Sequence, residues 1–259
     1  MPNTEHDLET AIPSKSETAK EYGDFYAQQK HWDDERFGVL TAREEADLTA
    51  IIRKAKVSIP PQSRILEIGF GNGGFLAYGR KRQWEMHGTE MNELLLKRAR
   101  RNGFDVIHAD NLDSFASDYF DLVVAIDVLE HIPGHKIHGF LTDVRRISKD
   151  KAVSIARFPN GDSPFGRFSQ HGDPTHITTI GSHKARYLAE EAGMEIIYIG
   201  GEAQPILSGL SHFLYRLVAN PVKKLLNLIL NFLFCPGARR ALCSINLVTI
   251  LRIRKPSTH

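Results

Sequence analysis

Residues 64–76 read RILEIGFGNGGFL. Ile65, Leu66 and Ile68 supply a short apolar run of strand length, and the glycines that follow break it into a turn before Phe75 and Leu76 open a helix. Gly69, Gly71 and Gly74 keep the G-x-G-x-x-G spacing, with Gly73 an additional glycine. Glycine there permits a tight turn and lets the backbone approach a ligand closely. The spacing alone is a weak signal, shared with dinucleotide-binding turns. Glu67, two residues before the first glycine, argues against such a guest. A pyrophosphate is disfavoured beside a carboxylate, whereas a ligand carrying a cationic amino group and a sulfonium gains from one.

Helical and strand patterns alternate outward from this stretch. Thr41 and Glu44 have capping-box spacing and predict a helix to about Lys56, closed by Pro60 and Pro61. Phe75–Arg82, Glu93–Asn102, Lys136–Ser148 and His183–Gly193 read as helices. Trp84–Thr89, Asp105–Ala109, Phe120–Ile126, Ala152–Phe158, Met194–Ile199 and Ile245–Ile253 read as strands. This alternation predicts an α/β, Rossmann-like, doubly wound and mainly parallel sheet with helices on both faces. Right-handed crossovers bring the strand carboxyl ends to one edge, where ligands bind. Glu67, Glu90, Asp110 and Asp127 all fall at such ends. Residues 1–20 read as a flexible tail, 21–61 as N-terminal helices, one of them over 21–29, and 62–259 as the main domain with a helical insertion over 202–244.

Bulk composition excludes more than it selects. The 259 residues, 42% of them hydrophobic, suffice for a sizeable core, and a net charge of +2 gives no support for a broad basic nucleic-acid face. Two cysteines, Cys235 and Cys243, indicate neither a disulfide framework nor a four-cysteine zinc site. The polar N-terminus does not read as a signal peptide, so a cytoplasmic setting is expected.

Each acidic strand end has a role open to it. Glu90, about twenty residues after the glycine turn, suits ribose hydroxyls. Asp110, with Asn111, can accept from an exocyclic amino group, and Asp127 can face a cationic amino group. Together these residues resemble the class I S-adenosylmethionine-dependent methyltransferases over roughly Ser63 to Gly200. LEIGFGNGGF is similar to their first motif, and Glu90, Asp110 and DVLEHI (Asp127 to Ile132) to the next three acidic positions. The resemblance implies a seven-stranded sheet with an antiparallel last strand and S-adenosyl-L-methionine as cofactor. It implies cofactor contacts from Glu67, Gly69, Gly71, Gly73, Glu90, Asp110, Asn111 and Asp127. DVLEHI resembles the branch with ubiquinone and other small-molecule O-methyltransferases, and Arg157 to Thr178 more loosely resembles enzymes of cell-surface polysaccharide synthesis. The Asn/Asp-Pro-Pro-Tyr/Phe signature of nucleic-acid amine methyltransferases is absent.

A hydroxyl acceptor needs its proton removed, and a histidine suits that work. His171 is the first candidate base, with His131 and His176 behind it and Asp173 able to orient an imidazole. Two histidines and two aspartates in this loop leave room for a divalent metal, but no spacing demands one, and no metal ligand set is assigned. In the insertion, Leu214 to Phe234 carries a wide apolar arc with one polar stripe, Arg216, Asn220, Lys223 or Lys224, Asn227 and Asn231, and Asn220-Pro221 reads as a helix restart. Its charges interrupt it too often for a membrane span. A lid over an apolar substrate, a peripheral membrane contact on the inner face and a homodimer seam stay open, and Lys223, Lys224, Arg239 and Arg240 favour the membrane. The expected substrate is a sugar, a lipid-linked glycan or a quinone-like hydroxyl, without nucleic acid. A membrane-associated scaffold protein of this fold and a nicotinamide-dependent reductase are the alternatives.

Overall fold

The computed structural model describes residue 30, residues 32–203 and residues 210–255, the side chains of 210–212 excepted. The tail expected over 1–20 and the helix expected over 21–29 lie outside the described residues.

The first helix among the described residues is α1 (Ala42–Lys54), whose first turn is closed by Thr41 and Glu44. Thr41 Oγ1 accepts the Glu44 N–H at 3.2 Å, and the Glu44 carboxylate accepts the Thr41 N–H at 2.8 Å. Then come β1 (Arg64–Ile68), α2 (Gly74–Lys81), β2 (Glu85–Glu90), α3 (Glu93–Arg101), β3 (Asp105–His108) and β4 (Phe120–Ile126). After them follow α4 (Ile137–Ile147), β5 (Ser148–Pro159), α5 (Arg167–Gly172), α6 (Ser182–Glu191), β6 (Met194–Gly201), α7 (Leu210–Phe234) and β7 (Asn246–Ile253).

The seven strands form one sheet in the order β3-β2-β1-β4-β5-β7-β6. β1 pairs in parallel with β2 and β4, and β4 with β5, while β7 runs antiparallel to both β5 and β6. The strand order reverses between β1 and β4. In an open α/β sheet that reversal leaves a crevice at the carboxyl ends of the two strands, where ligands bind.

The apolar run of β4 is explained by burial on both faces. Leu122 and Val124 join Ile65, Leu76, Tyr78, Leu95 and Leu96 on one side, against α1 to α3. Val123 and Ala125 join Ile137, Leu141, Val144, Ala185 and Leu188 on the other, against α4 and α6. β5 begins earlier than its apolar pattern suggests: Ser148 already pairs with Phe120, and regular register resumes at Val153 opposite Leu122. The polar SKDK stretch hides this start because it forms an irregularity, with Lys151 at φ 65°.

α7 does not restart at Asn220. It is one continuous helix with Pro221 inside it. Proline removes the N–H that would bond to the Leu217 carbonyl, but Leu217 and Val218 are exposed, so that carbonyl is not sealed away from a polar partner.

Candidate active site

The crevice is walled on one side by the glycine turn. Gly69 and Phe70 donate their N–H groups to the Thr89 carbonyl at 2.8 and 3.2 Å, which fixes the turn against the end of β2. Gly71 has φ +51°, and a Cβ there would lie 3.1 Å from the Trp32 ring. Gly69 has φ +68°, and its Cβ would meet Val128 at 2.7 Å, so the loops after β1 and β4 touch at the strand reversal. Gly73 lies beneath Phe37. Trp32 and Phe37 come from the stretch ahead of α1, which is a run of turns over residues 34–38 rather than part of the N-terminal helices expected over 21–61. It is tied to the turn by Gly38 N–H donating to the Asn72 carbonyl at 2.7 Å and to α3 by Arg98 donating to the Trp32 carbonyl at 2.7 Å.

Glu67 and Glu90 are both buried at the head of this wall. Burial pushes the Glu67 carboxyl well above its ordinary range; the Leu76 backbone N–H partly offsets this, and the nearby Glu90 adds to it. Glu67 Oε2 has no hydrogen-bond partner. Glu90 accepts the N–H groups of Gly71 at 3.0 Å, Met91 at 2.7 Å and Asn92 at 3.1 Å. Burial still raises its pKa against those donors. Asp110 and Asn111 sit exposed on the 3-10 turn Ala109–Ser114, with Asp110 N–H donating to His108 Nδ1 at 3.3 Å.

The opposite wall begins at Asp127, which ends β4 with φ +56°, a conformation aspartate tolerates better than most residues. Its carboxylate is held by Arg157, whose Nε donates to Oδ1 at 3.1 Å while Nη2 closes on Oδ2. Arg157 Nη1 donates to Glu202 at 3.2 Å. Burial alone would lower the guanidinium pKa, but the two carboxylates overcome it and raise it. Arg157 is a functional candidate that sequence reasoning misses, because an arginine at a strand end carries no pattern of its own.

Beyond Asp127 the 3-10 turn Leu129–His131 meets the loop that follows β5. Glu130 is 1% exposed, and neither carboxylate oxygen has a hydrogen-bond partner. Burial first, then the charge of Asp127, push its pKa up to about 8. The Glu130 carbonyl accepts the N–H groups of Ile177 and Thr178, both at 2.9 Å, which clips the two loops together. His131 and His176 stand edge to face, ring centroids 4.7 Å apart. Burial and the neighbouring His176 lower the His131 pKa. His176 Nε2 is 3.9 Å from Glu130 Oε1 and 3.8 Å from Asp173 Oδ2. Burial works to raise the Asp173 pKa, but hydrogen bonds from Thr175 and Lys30 hold it well below the usual carboxylate range.

The structure therefore brings His131, His176 and Asp173 together and adds Glu130. His171 is exposed on α5 and, among the described residues, shares no bond with them, although its neighbours Ser169 and Gln170 bond to His176. Asn160, at the end of β5, is buried and serves the fold instead. Its Nδ2 donates to the carbonyls of Ala241 at 2.8 Å and Ser244 at 3.1 Å, fastening the return from α7.

These walls fit the electrophile the charge pattern called for. The buried Glu67 oxygen without a partner and the Glu90 carboxylate, which accepts the Gly71 N–H, stand beside a turn in which Gly69, Gly71 and Gly73 have positive φ, a lining better suited to a cationic guest than to an anion. The family model described as "Methyltransferase domain" matches residues 40–199, more than half of the chain. The chain belongs to that family and is a class I S-adenosylmethionine-dependent methyltransferase. Among solved structures it is similar to an S-adenosylmethionine-dependent methyltransferase from Archaeoglobus fulgidus, at 19% identity and TM-score 0.61 over 88% of this chain and 98% of that one. It is also similar to one from Mesorhizobium loti, at 15% identity and TM-score 0.53 over 80% and 97%. The [4+2]-cyclase SpnF shares the fold at 14% identity and TM-score 0.59 over 95% and 98%. The comparison with curated proteins found no match.

Proposed function

We propose that this methyltransferase modifies a hydroxyl of an amphiphilic acceptor, a sugar, lipid-linked glycan or quinone-like ring, while docked on the cytoplasmic face of a lipid membrane through α7. The observation that carries the reading is that α7 is inside out. Its polar stripe faces the protein, where Arg216 and Asn231 are buried. Asn227 and Asn231 donate to the Arg240 carbonyl at 3.0 and 2.9 Å, and their amide oxygens accept the N–H groups of Cys243 and Arg240. Its apolar side chains point outward, Phe232 at 80% exposure and Leu228 at 67%. Water does not favour so large an apolar surface, and a partner must cover it.

Against the expectation that its charges rule out a span, Phe213–Phe234 is long and apolar enough to cross a membrane, with mean hydropathy 1.3. The amide bonds to the return loop argue for a helix lying flat, since a spanning helix would drag those polar loop groups into hydrocarbon. The exposed Lys224 and Arg239 supply cationic charge for anionic headgroups. Arg240 pairs with Asp162 at 3.3 Å, and Asn160 and Ser163 bind the carbonyls of Ala241 and Leu242, so the loop that returns from α7 is fastened to the segment following β5, which goes on to Asp173 and His176. That proximity supports an acceptor whose apolar part stays in the membrane.

Bound S-adenosylmethionine supplies an electrophilic methyl carbon and leaves as the neutral thioether. The residues of the chain position the acceptor and take charge of its proton, and the cluster of Glu130, His131 and His176 suits that role better than the exposed His171. The test pairs vesicle flotation with a labelled-methyl assay on polyprenyl-linked glycans, quinols and free sugars. We expect flotation with anionic vesicles, reduced by Leu228→Ser with Phe232→Ser, and label on a hydroxyl oxygen. A soluble homodimer that ignores vesicles, or label on nitrogen, would overturn the corresponding half of the proposal.

A further inference from the structure

We propose that Glu130, His131 and His176 form a binding site for a divalent first-row transition metal. One ligand atom from each residue lies within 4.8 Å of the other two. The centre of a triangle with 4.8 Å sides is about 2.8 Å from each corner, so shifts of under an ångström bring all three to the ~2.0–2.2 Å of metal–nitrogen and metal–oxygen bonds.

Two independent features point inward to a ligand. The first is the Glu130 carboxylate, 1% exposed and without a hydrogen-bond partner on either oxygen. A buried carboxylate left that way is costly unless a proton or cation meets it. The second is the orientation of the imidazoles. His131 Nδ1 lies 3.1 Å from the Thr175 carbonyl, and His176 Nδ1 lies 2.9 Å from the Ser169 carbonyl. A carbonyl oxygen brings no proton, so each ring donates from Nδ1, and His176 Nε2, 3.9 Å from Glu130 Oε1, is turned to the carboxylate. Metal-binding histidines are oriented in this way, with the far N–H given to a backbone carbonyl. Asp127 and Asp173, the other nearby carboxylates, are held by Arg157 and Lys30 and stand outside the set.

Two imidazoles and one carboxylate suit the manganese-to-zinc series and disfavour Mg²⁺, which prefers oxygen ligands. Three protein ligands leave positions open for an exogenous oxygen. An acceptor hydroxyl bound there loses its proton to water more readily. Its oxygen then bonds to the methyl carbon, and sulfur keeps the electron pair of the broken carbon–sulfur bond. This consequence rests on the hydroxyl acceptor proposed above; metal binding itself does not.

The test is calorimetric titration of chelator-treated full-length protein with Zn²⁺ and Mn²⁺, beside Mg²⁺ as comparison and the visible spectrum of the Co²⁺ form. We expect one equivalent bound, Mg²⁺ failing to compete, and affinity reduced at least ~10-fold by Glu130→Gln or His176→Ala, with His183→Ala binding as the wild type. S-adenosylmethionine affinity, measured on each variant, reports that it is folded. Absence of stoichiometric binding to the wild type, or equal binding by Glu130→Gln and His176→Ala, overturns the site. Should metal bind without methylation of any hydroxyl acceptor, the site stands and the acceptor reading falls. Methylation of a hydroxyl insensitive to chelator, with no metal bound, does the reverse and returns the proton to a histidine.

Discussion

Glu67 shows how one buried residue ties stability to pH. Its folded pKa lies above the ordinary 4.5, mainly through burial. Folding therefore takes up a proton between those two values. The stability this group contributes is fully present below about 4.5 and is lost as pH rises through the folded value. We expect the melting temperature of the cofactor-free protein to fall with pH across that window, and Glu67→Gln, which stays neutral, to flatten the fall. Glu90, raised in the same direction, leaves a residual slope. Thermal melts over a pH series decide the matter, and a slope unchanged in the variant would remove Glu67 as its source. Asp127 poses a different question, because Arg157 already occupies its carboxylate. If it also faces the cofactor's amino group, Asp127→Asn weakens S-adenosylmethionine binding by about tenfold with little change in the melt. Unchanged affinity would confine Asp127 to its ion pair.

Among the elements, α1 and α7 present opposite cases. Thr41 and Glu44 are spaced to close a helix start, and both capping bonds form. Thr41→Ala removes one of them, at a cost of about 1 kcal/mol, or roughly 2–4 °C in melting temperature for a chain of this size, readable by calorimetry. A variant melting with the wild type would show that α1 is held by packing alone. α7 was legible as a helix with an apolar arc and a polar stripe, but not the direction in which either faces. The helical wheel is the same whichever side is buried. Asn227 and Asn231 decide it, because their side-chain amides satisfy backbone groups of a loop that lies as far as Cys243. The restart expected at Pro221 failed for a related reason: a proline breaks a helix only where losing its hydrogen bond is too costly, and an exposed helix reduces that penalty.

At the scale of the molecule, strand and helix placement followed from local periodicity. The buried β4, the glycine stop after α3 and the acidic strand ends all lie where their patterns put them. The cofactor read from the glycine turn and its acidic neighbours also carried, since the chain belongs to the methyltransferase family. What residue order could not supply was proximity across long separations. Glu130 and His176 lie more than forty positions apart, Lys30 reaches Asp173, and Trp32 lies against Gly71. Sequence alone determined which strands and helices form, because that depends on neighbours a few residues away. Tertiary structure decided which histidines share a carboxylate and which face of α7 is left bare, because both depend on contacts between segments far apart in the chain.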